Sequence, residues 1–197
     1  MRTDIVEVVG KAGNWVSFKS IQAILLRTKN ITTLRLQFSF APAFRILPAT
    51  LVLKNLTLLD ANISHMALTM FLRNHPHITN LTIGACNVAV ASSCPLTACH
   101  LPNLEELACP PGCVRALASA TIPLTWLITF HTDTQDAMHS TLRLFDFCRI
   151  PTSSNLTILH VDFNHTMGLK FLQRISAAAP ALTVLRLMES AFSDKVR

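Results

Sequence analysis

Apolar positions along the chain repeat one short phrase: an apolar residue, two others, Leu, one other, an apolar residue. Its fullest copy is Ile78-x-x-Leu81-x-Ile83-x-x-Cys86-x-Val88, and six more begin at Ile31, Leu53, Leu104, Leu124, Leu156 and Leu182. The second apolar position falls at Leu34, Leu56, Leu81, Leu107, Leu127, Leu159 and Leu185, in steps of 22, 25, 26, 20, 32 and 26 residues. Within x-L-x-L-x the side chains alternate, so the leucines face one way and the residues between them the other. Each copy therefore predicts a short strand with an apolar inner face, and Ile5-Val6-Glu7-Val8-Val9 predicts a further strand before them. In His75-Pro76-His77-Ile78, Leu101-Pro102-Asn103-Leu104 and Ala179-Pro180-Ala181-Leu182 a proline stands two residues before the first apolar position. There it ends the preceding segment and suits the start of a strand, where no ladder donor is needed.

The segments between the phrases read as helices. Ser64 caps one that turns Leu68, Phe71 and Leu72 inward; Thr166 caps another with Leu169, Leu172 and Ile175 inward; Ser17 precedes Phe18, Ile21, Ile24 and Leu25. Just past each strand stand Ser39, Ala61, Cys86, Gly112, Thr132, Asn164 and Ser190, small or polar residues expected to turn inward and satisfy a buried turn. The copy at Leu124 is the poorest, with Thr129 at an apolar position; the long step after it holds a helix with extra loop around 137–145. The phrase fits the leucine-rich repeat template, and most steps lie within its range of about 20–29 residues. That resemblance implies an α/β solenoid, a ribonuclease-inhibitor-like horseshoe with parallel strands on the concave face and helices or irregular segments on the convex face. Residues 1–197 then form a single leucine-rich repeat domain of seven irregular repeats that lacks polar terminal caps.

Such a scaffold offers an extended surface, and its columns follow from the alternation. Between the two leucine positions stand Arg35, Thr57, Thr82, Ala108, Ile128, His160 and Arg186; before them Thr33, Asn55, Asn80, Glu106, Trp126, Ile158 and Val184; after them Gln37, Leu59, Gly84, Pro110, Phe130, Asp162 and Met188. Trp126, Ile128 and Phe130 share one face beside Ile158, and an outward aromatic cluster of this kind marks a partner site. The expected site is therefore Trp126, Ile128, Phe130, Ile158, His160 and Arg186 on the concave face, with a protein as its partner. A one-residue slip of register in this weak copy would turn the cluster inward.

Composition narrows the rest. Half the residues are hydrophobic and 14% charged, which excludes a disordered chain. No apolar run is long enough to span a bilayer. The first residues lack a leader's apolar stretch, so the expected location is cytoplasmic or nuclear, with no membrane partner. A net charge of +6 favours an acidic partner, yet the basic residues are scattered and no nucleic-acid motif is present. Six Asn-x-Ser/Thr sites, at Asn30, Asn55, Asn62, Asn80, Asn155 and Asn164, read as by-products of the repeat. No catalytic frame, phosphate loop or dinucleotide fingerprint occurs, so no enzyme and no cofactor are expected. His160 and Asp162 lie on one face of one strand and read as an exposed polar patch rather than an acid/base pair. Cys94, Cys99, Cys109 and Cys113 could hold a structural zinc ion, although neither pair has the two-residue knuckle spacing. Cys109 also fits an inward repeat position as a small apolar residue. Disulfides are not expected in an intracellular chain.

The chain also resembles the repeat region of F-box/leucine-rich-repeat proteins of mushroom-forming fungi. The residues that carry this are Val8-Val9-Gly10, Asn14-Trp15-Val16-Ser17-Phe18, His75-Pro76-His77-Ile78-Thr79-Asn80-Leu81-Thr82-Ile83 and Leu101-Pro102-Asn103-Leu104-Glu105-Glu106-Leu107. The resemblance implies repeats that capture the substrate of a cullin–RING ubiquitin ligase. Docking to the ligase adaptor is expected only if an F-box lies elsewhere in the full protein, since no Leu-Pro-led helical stretch precedes the first strand. The alternative is a truncated paralogue without function.

Overall fold

The computed structural model describes residues 4–9, 23, 25–28, 31–37, 52–59, 65–84, 94, 96, 100–110, 113, 114, 117, 122–129, 155–163 and 168–189. Eight strands form one all-parallel sheet whose order is that of the chain: β1 (Asp4–Val9), β2 (Ile31–Gln37), β3 (Asn55–Leu59), β4 (Asn80–Ile83), β5 (Glu106–Cys109), β6 (Trp126–Thr129), β7 (Ile158–Phe163) and β8 (Val184–Glu189). Parallel neighbours require a crossover between them. Helix α1 (His65–Arg73) makes part of the crossover into β4, and α2 (Gly168–Ala178) part of that into β8. The architecture is an open, solenoid-like α/β sheet.

The spacing of the leucines is the register of the sheet. Leu34, Leu56, Leu81, Leu107, Leu127, Leu159 and Leu185 are paired strand to strand without a slip. The first six are at most 1% exposed. Two further buried rows join the same core, Leu36–Leu58–Ile83–Cys109–Thr129–Val161 on the same face and Ile31–Leu53–Ile78–Leu104–Leu124–Leu156 at the entry to the strands. Each buried leucine contributes roughly 1.5–3 kcal/mol of transfer free energy, so these rows are the main source of cohesion. Leu68, Phe71 and Leu72 of α1 and Phe171 and Ile175 of α2 join the same core. The last strand differs: Leu185 and Leu187 occupy inner positions but are 37% and 39% exposed at the edge of the sheet.

In β6 the residues alternate between half-buried and buried, with Leu127 and Thr129 inward and Trp126 and Ile128 outward. The register is the one the repeat phrase predicts, not the slipped one. Thr129 is fully buried, and its hydroxyl has no hydrogen-bond partner among the described residues.

The prolines prove to be turn residues. The N–H of Ile78 donates to the carbonyl of His75, that of Leu104 to Leu101 and that of Leu182 to Ala179, at 3.1–3.3 Å. Each proline is thus the second residue of a four-residue turn, a place that suits its fixed φ. The residue before it, His75, Leu101 or Ala179, is buried, and the His75 ring stacks on Phe71 with centroids 4.2 Å apart. Asn103 Nδ2 donates to the carbonyl of Pro76 at 3.1 Å and so ties one turn to the next.

A second ladder runs beside the strands at the repeat's second position. The N–H groups of Thr79 and Asn80 donate to the carbonyl of Lys54, those of Glu105 and Glu106 to Thr79, and those of Thr125 and Trp126 to Glu105. Thr157 and Ile158 donate to Thr125, and Thr183 and Val184 to Thr157, all within 2.8–3.1 Å. The hydroxyls of Thr125, Thr157 and Thr183 add a third donor to the same carbonyls at 3.1–3.2 Å. Thr79 instead turns its hydroxyl to Asn80 Oδ1 at 2.6 Å, leaving Lys54 O at 3.4 Å.

Two expectations are corrected. In α2 the inward residues are Phe171 and Ile175, four apart on one face, while Leu172 is 38% exposed, because α2 buries a narrower stripe than α1, where the adjacent Phe71 and Leu72 are both buried. Pro110 is buried rather than outward: β5 ends at Cys109, and Pro110 accepts from the Cys113 N–H at 2.9 Å in a turn that breaks the alternation. In α1, Leu68, Phe71 and Leu72 are inward as expected, with Met66 and Met70 exposed. Ser64, Thr166, Phe18, Ile21, Ile24, the side chain of Leu169, the small or polar residues past each strand and the segment 137–145 lie outside the described residues.

Candidate functional site

The outward face of the sheet divides into two halves, because each repeat fills the same two columns with different residues. From β1 to β4 it carries Glu7 and Arg35, Thr33, Asn55, Thr57, Asn80 and Thr82. Arg35 Nε pairs with Glu7 at 3.3 Å, both half exposed, and Asn55 Nδ2 donates to Thr33 Oγ1 at 2.9 Å. This half is mostly polar, although Ile5, in the column of Thr33 and Asn55, is 71% exposed.

From β5 to β8 the outward face carries large apolar residues among Glu106, His160 and Arg186. Trp126 lies between Glu106 and Ile158, Ile158 beside Val184, and Ile128 between Ala108 and His160. The Trp126 and His160 rings meet edge to face, with centroids 5.9 Å apart and planes at 70°. Trp126 Nε1 is shielded from water and has no hydrogen-bond partner among the described residues. His160 stands next to Arg186 across the β7–β8 pairing. Burial, and then the Arg186 guanidinium, hold the His160 imidazole below its ordinary value. Arg186 is exposed and has no acidic partner among the described residues, unlike Arg35 in the same column.

Five of the six expected residues, Trp126, Ile128, Ile158, His160 and Arg186, are therefore brought together on three adjacent strands; Phe130 lies outside the described residues. The expectation of an exposed polar patch at His160 is corrected: the residue is only 9% exposed, with Ile128, Trp126 and Arg186 beside it. Asp162 lies two residues on in β7, paired in register with Met188.

The cysteines divide as well. Cys109 belongs to the buried inner row of β5, while Cys94 and Cys113 stand outside the strands with their sulfurs 4.0 Å apart. Cys99 lies outside the described residues, and among those described no group of three or more His, Cys, Asp or Glu gathers as a metal site. His100 accepts from Arg73 Nε at 2.9 Å through Nε2, which ties the end of α1 to the next crossover. Burial, then Arg73, keep that imidazole below its ordinary value, in the neutral form an acceptor nitrogen requires.

Sequence reasoning passed over the threonine ladder, although Thr recurs at the second repeat position in Thr32, Thr79, Thr125, Thr157 and Thr183. It grouped Cys94 and Cys113 with Cys99 and Cys109 as a zinc set and did not single out the two as a pair. Among the described residues no helix is long and apolar enough to cross a membrane. The chain matches no model of a known protein family and no curated protein.

Proposed function

We propose that the chain is a leucine-rich repeat solenoid of the horseshoe type that recognises a protein through the outward face of β5–β8. The observation that carries this reading is the apolar surface of Trp126 and Ile128 on β6 and Ile158 on β7, two strands wide, next to a half that is mostly polar. Large side chains fixed on a rigid sheet lose little entropy on binding and serve as anchors. The guanidinium of Arg186 at one border, without an acidic partner among the described residues, favours a partner segment with apolar side chains for the Trp126–Ile158 surface and an acidic group for Arg186. The substrate-recognition repeats of an F-box-type ubiquitin ligase receptor are the role that fits this arrangement best, on the resemblance carried by the sequence.

The test replaces Ile128, and separately Thr57 on the polar half, with a photo-crosslinking amino acid in the full chain. A protein crosslinked at 128 and not at 57, and lost when Trp126→Ala is added, supports the reading. Equal crosslinking at both positions, or none at 128 with a chain that melts normally, refutes it.

A further inference from the structure

We propose that Cys94 and Cys113 form a dithiol modification site that a peroxide oxidises to an intramolecular disulfide. The two residues come from different crossovers, Cys94 from the one between β4 and β5 and Cys113 from the one that follows β5. The Cys94 thiol donates to Cys113 Sγ at 4.0 Å. A disulfide bond is about 2.05 Å long, so closing it takes a movement of roughly 2 Å.

Burial assigns the roles. Cys113 is fully buried, whereas Cys94 is half-buried and packs at the margin of the core. A small oxidant therefore reaches Cys94 first. The Cys94 sulfur attacks one oxygen of hydrogen peroxide, the O–O bond breaks, and the products are a sulfenic acid on Cys94 and water. The Cys113 sulfur then attacks the sulfenic sulfur; the S–S bond forms, the S–O bond breaks, and the hydroxyl leaves as a second water with the Cys113 proton. Two thiols and one peroxide give one disulfide and two waters. Cys109 takes no part, being held in the inner row of β5.

The bond would close a loop around β5 and so limit the freedom of the unfolded chain. In a reducing compartment the dithiol is the resting form and the disulfide a transient one. This inference is independent of what the outward face binds.

The full chain is treated with hydrogen peroxide in native buffer, free thiols are blocked, and the digest is read by mass spectrometry. The expected result is a Cys94–Cys113 crosslinked peptide that dithiothreitol reverses, with a higher melting temperature for the oxidised chain. Cys94→Ala, at a half-buried position, should fold, form no crosslink and show no rise in melting temperature. Cys113→Ser, if it folds, should leave a sulfenic acid on Cys94 that dimedone traps. A Cys94–Cys99 link, a link between two chains, or excess peroxide without any link would each overturn the proposal.

Discussion

Thr129 occupies a row otherwise filled by Leu36, Leu58, Ile83, Cys109 and Val161, and it is fully buried with a hydroxyl that has no partner among the described residues. Thr129→Val removes that hydroxyl and keeps the branched shape. A buried, unsatisfied hydroxyl costs about 1–3 kcal/mol, which the substitution recovers. The added methyl gains up to ~0.8 kcal/mol by transfer from water. Against this stands the overpacking that extra volume causes, about 1–3 kcal/mol where a core has no slack. Slack is expected here, because the same row accepts Ile83 and Val161. The net expectation is a stabilisation of ~1–2 kcal/mol; at about 2–4 °C per kcal/mol for a chain of this size, the melting temperature rises by roughly 2–8 °C. Urea unfolding should show a higher midpoint at an unchanged slope. Thr129→Ser, which keeps the hydroxyl and loses the methyl, should be the least stable of the three. If valine is no more stable than threonine, the hydroxyl is satisfied after all and the reasoning fails.

The ladder of second-position residues lacks a hydroxyl at Glu105, although its N–H reaches the Thr79 carbonyl at 2.8 Å, as the threonine rungs reach theirs. Glu105→Thr should therefore supply the missing donor and stabilise by ~0.5 kcal/mol, while Thr157→Val should cost ~0.5–1 kcal/mol; both are read from urea midpoints, and a destabilising Glu105→Thr would contradict the ladder. The imidazoles of His100 and His160 are held below the ordinary value of 6.5. The unfolded chain then binds protons more readily than the folded one, so the stability these groups contribute is present above pH 6.5 and falls away as the pH drops below it. Replacing both with Gln should flatten the decline in urea midpoint between about pH 7 and 5, and an unaltered slope would show that other groups govern it.

The strands were legible because two constraints coincide at each of them. A period of two places Leu34 and its counterparts on one face, and a repeat of the phrase stacks them in one row, so the pairing of Leu127 with Leu159 could be read across a step of 32 residues. Helix faces were less legible. Leu172 and Phe171 both fit an inward stripe, and the choice between them depends on the space left by the core, which is not a local property. His160 was placed on the right face but with the wrong burial, since its cover comes from Trp126 and Ile128 on the neighbouring strand. The threonine ladder was written in the sequence as a column and escaped notice because an exposed Thr beside a strand has an ordinary appearance.

That ladder has a consequence for how such a chain can change. The second-position carbonyl faces one neighbour, and the matching N–H groups face the other, at the same place in every unit. A whole unit gained or lost leaves donors and acceptors matched at the new junction, whatever residues occupy the crossovers. Steps as unequal as 20 and 32 residues are joined by the same bonds, so the ladder does not depend on the length of chain between its rungs. The joints are thus interchangeable parts, and the identity of the molecule is carried by the side chains displayed between them.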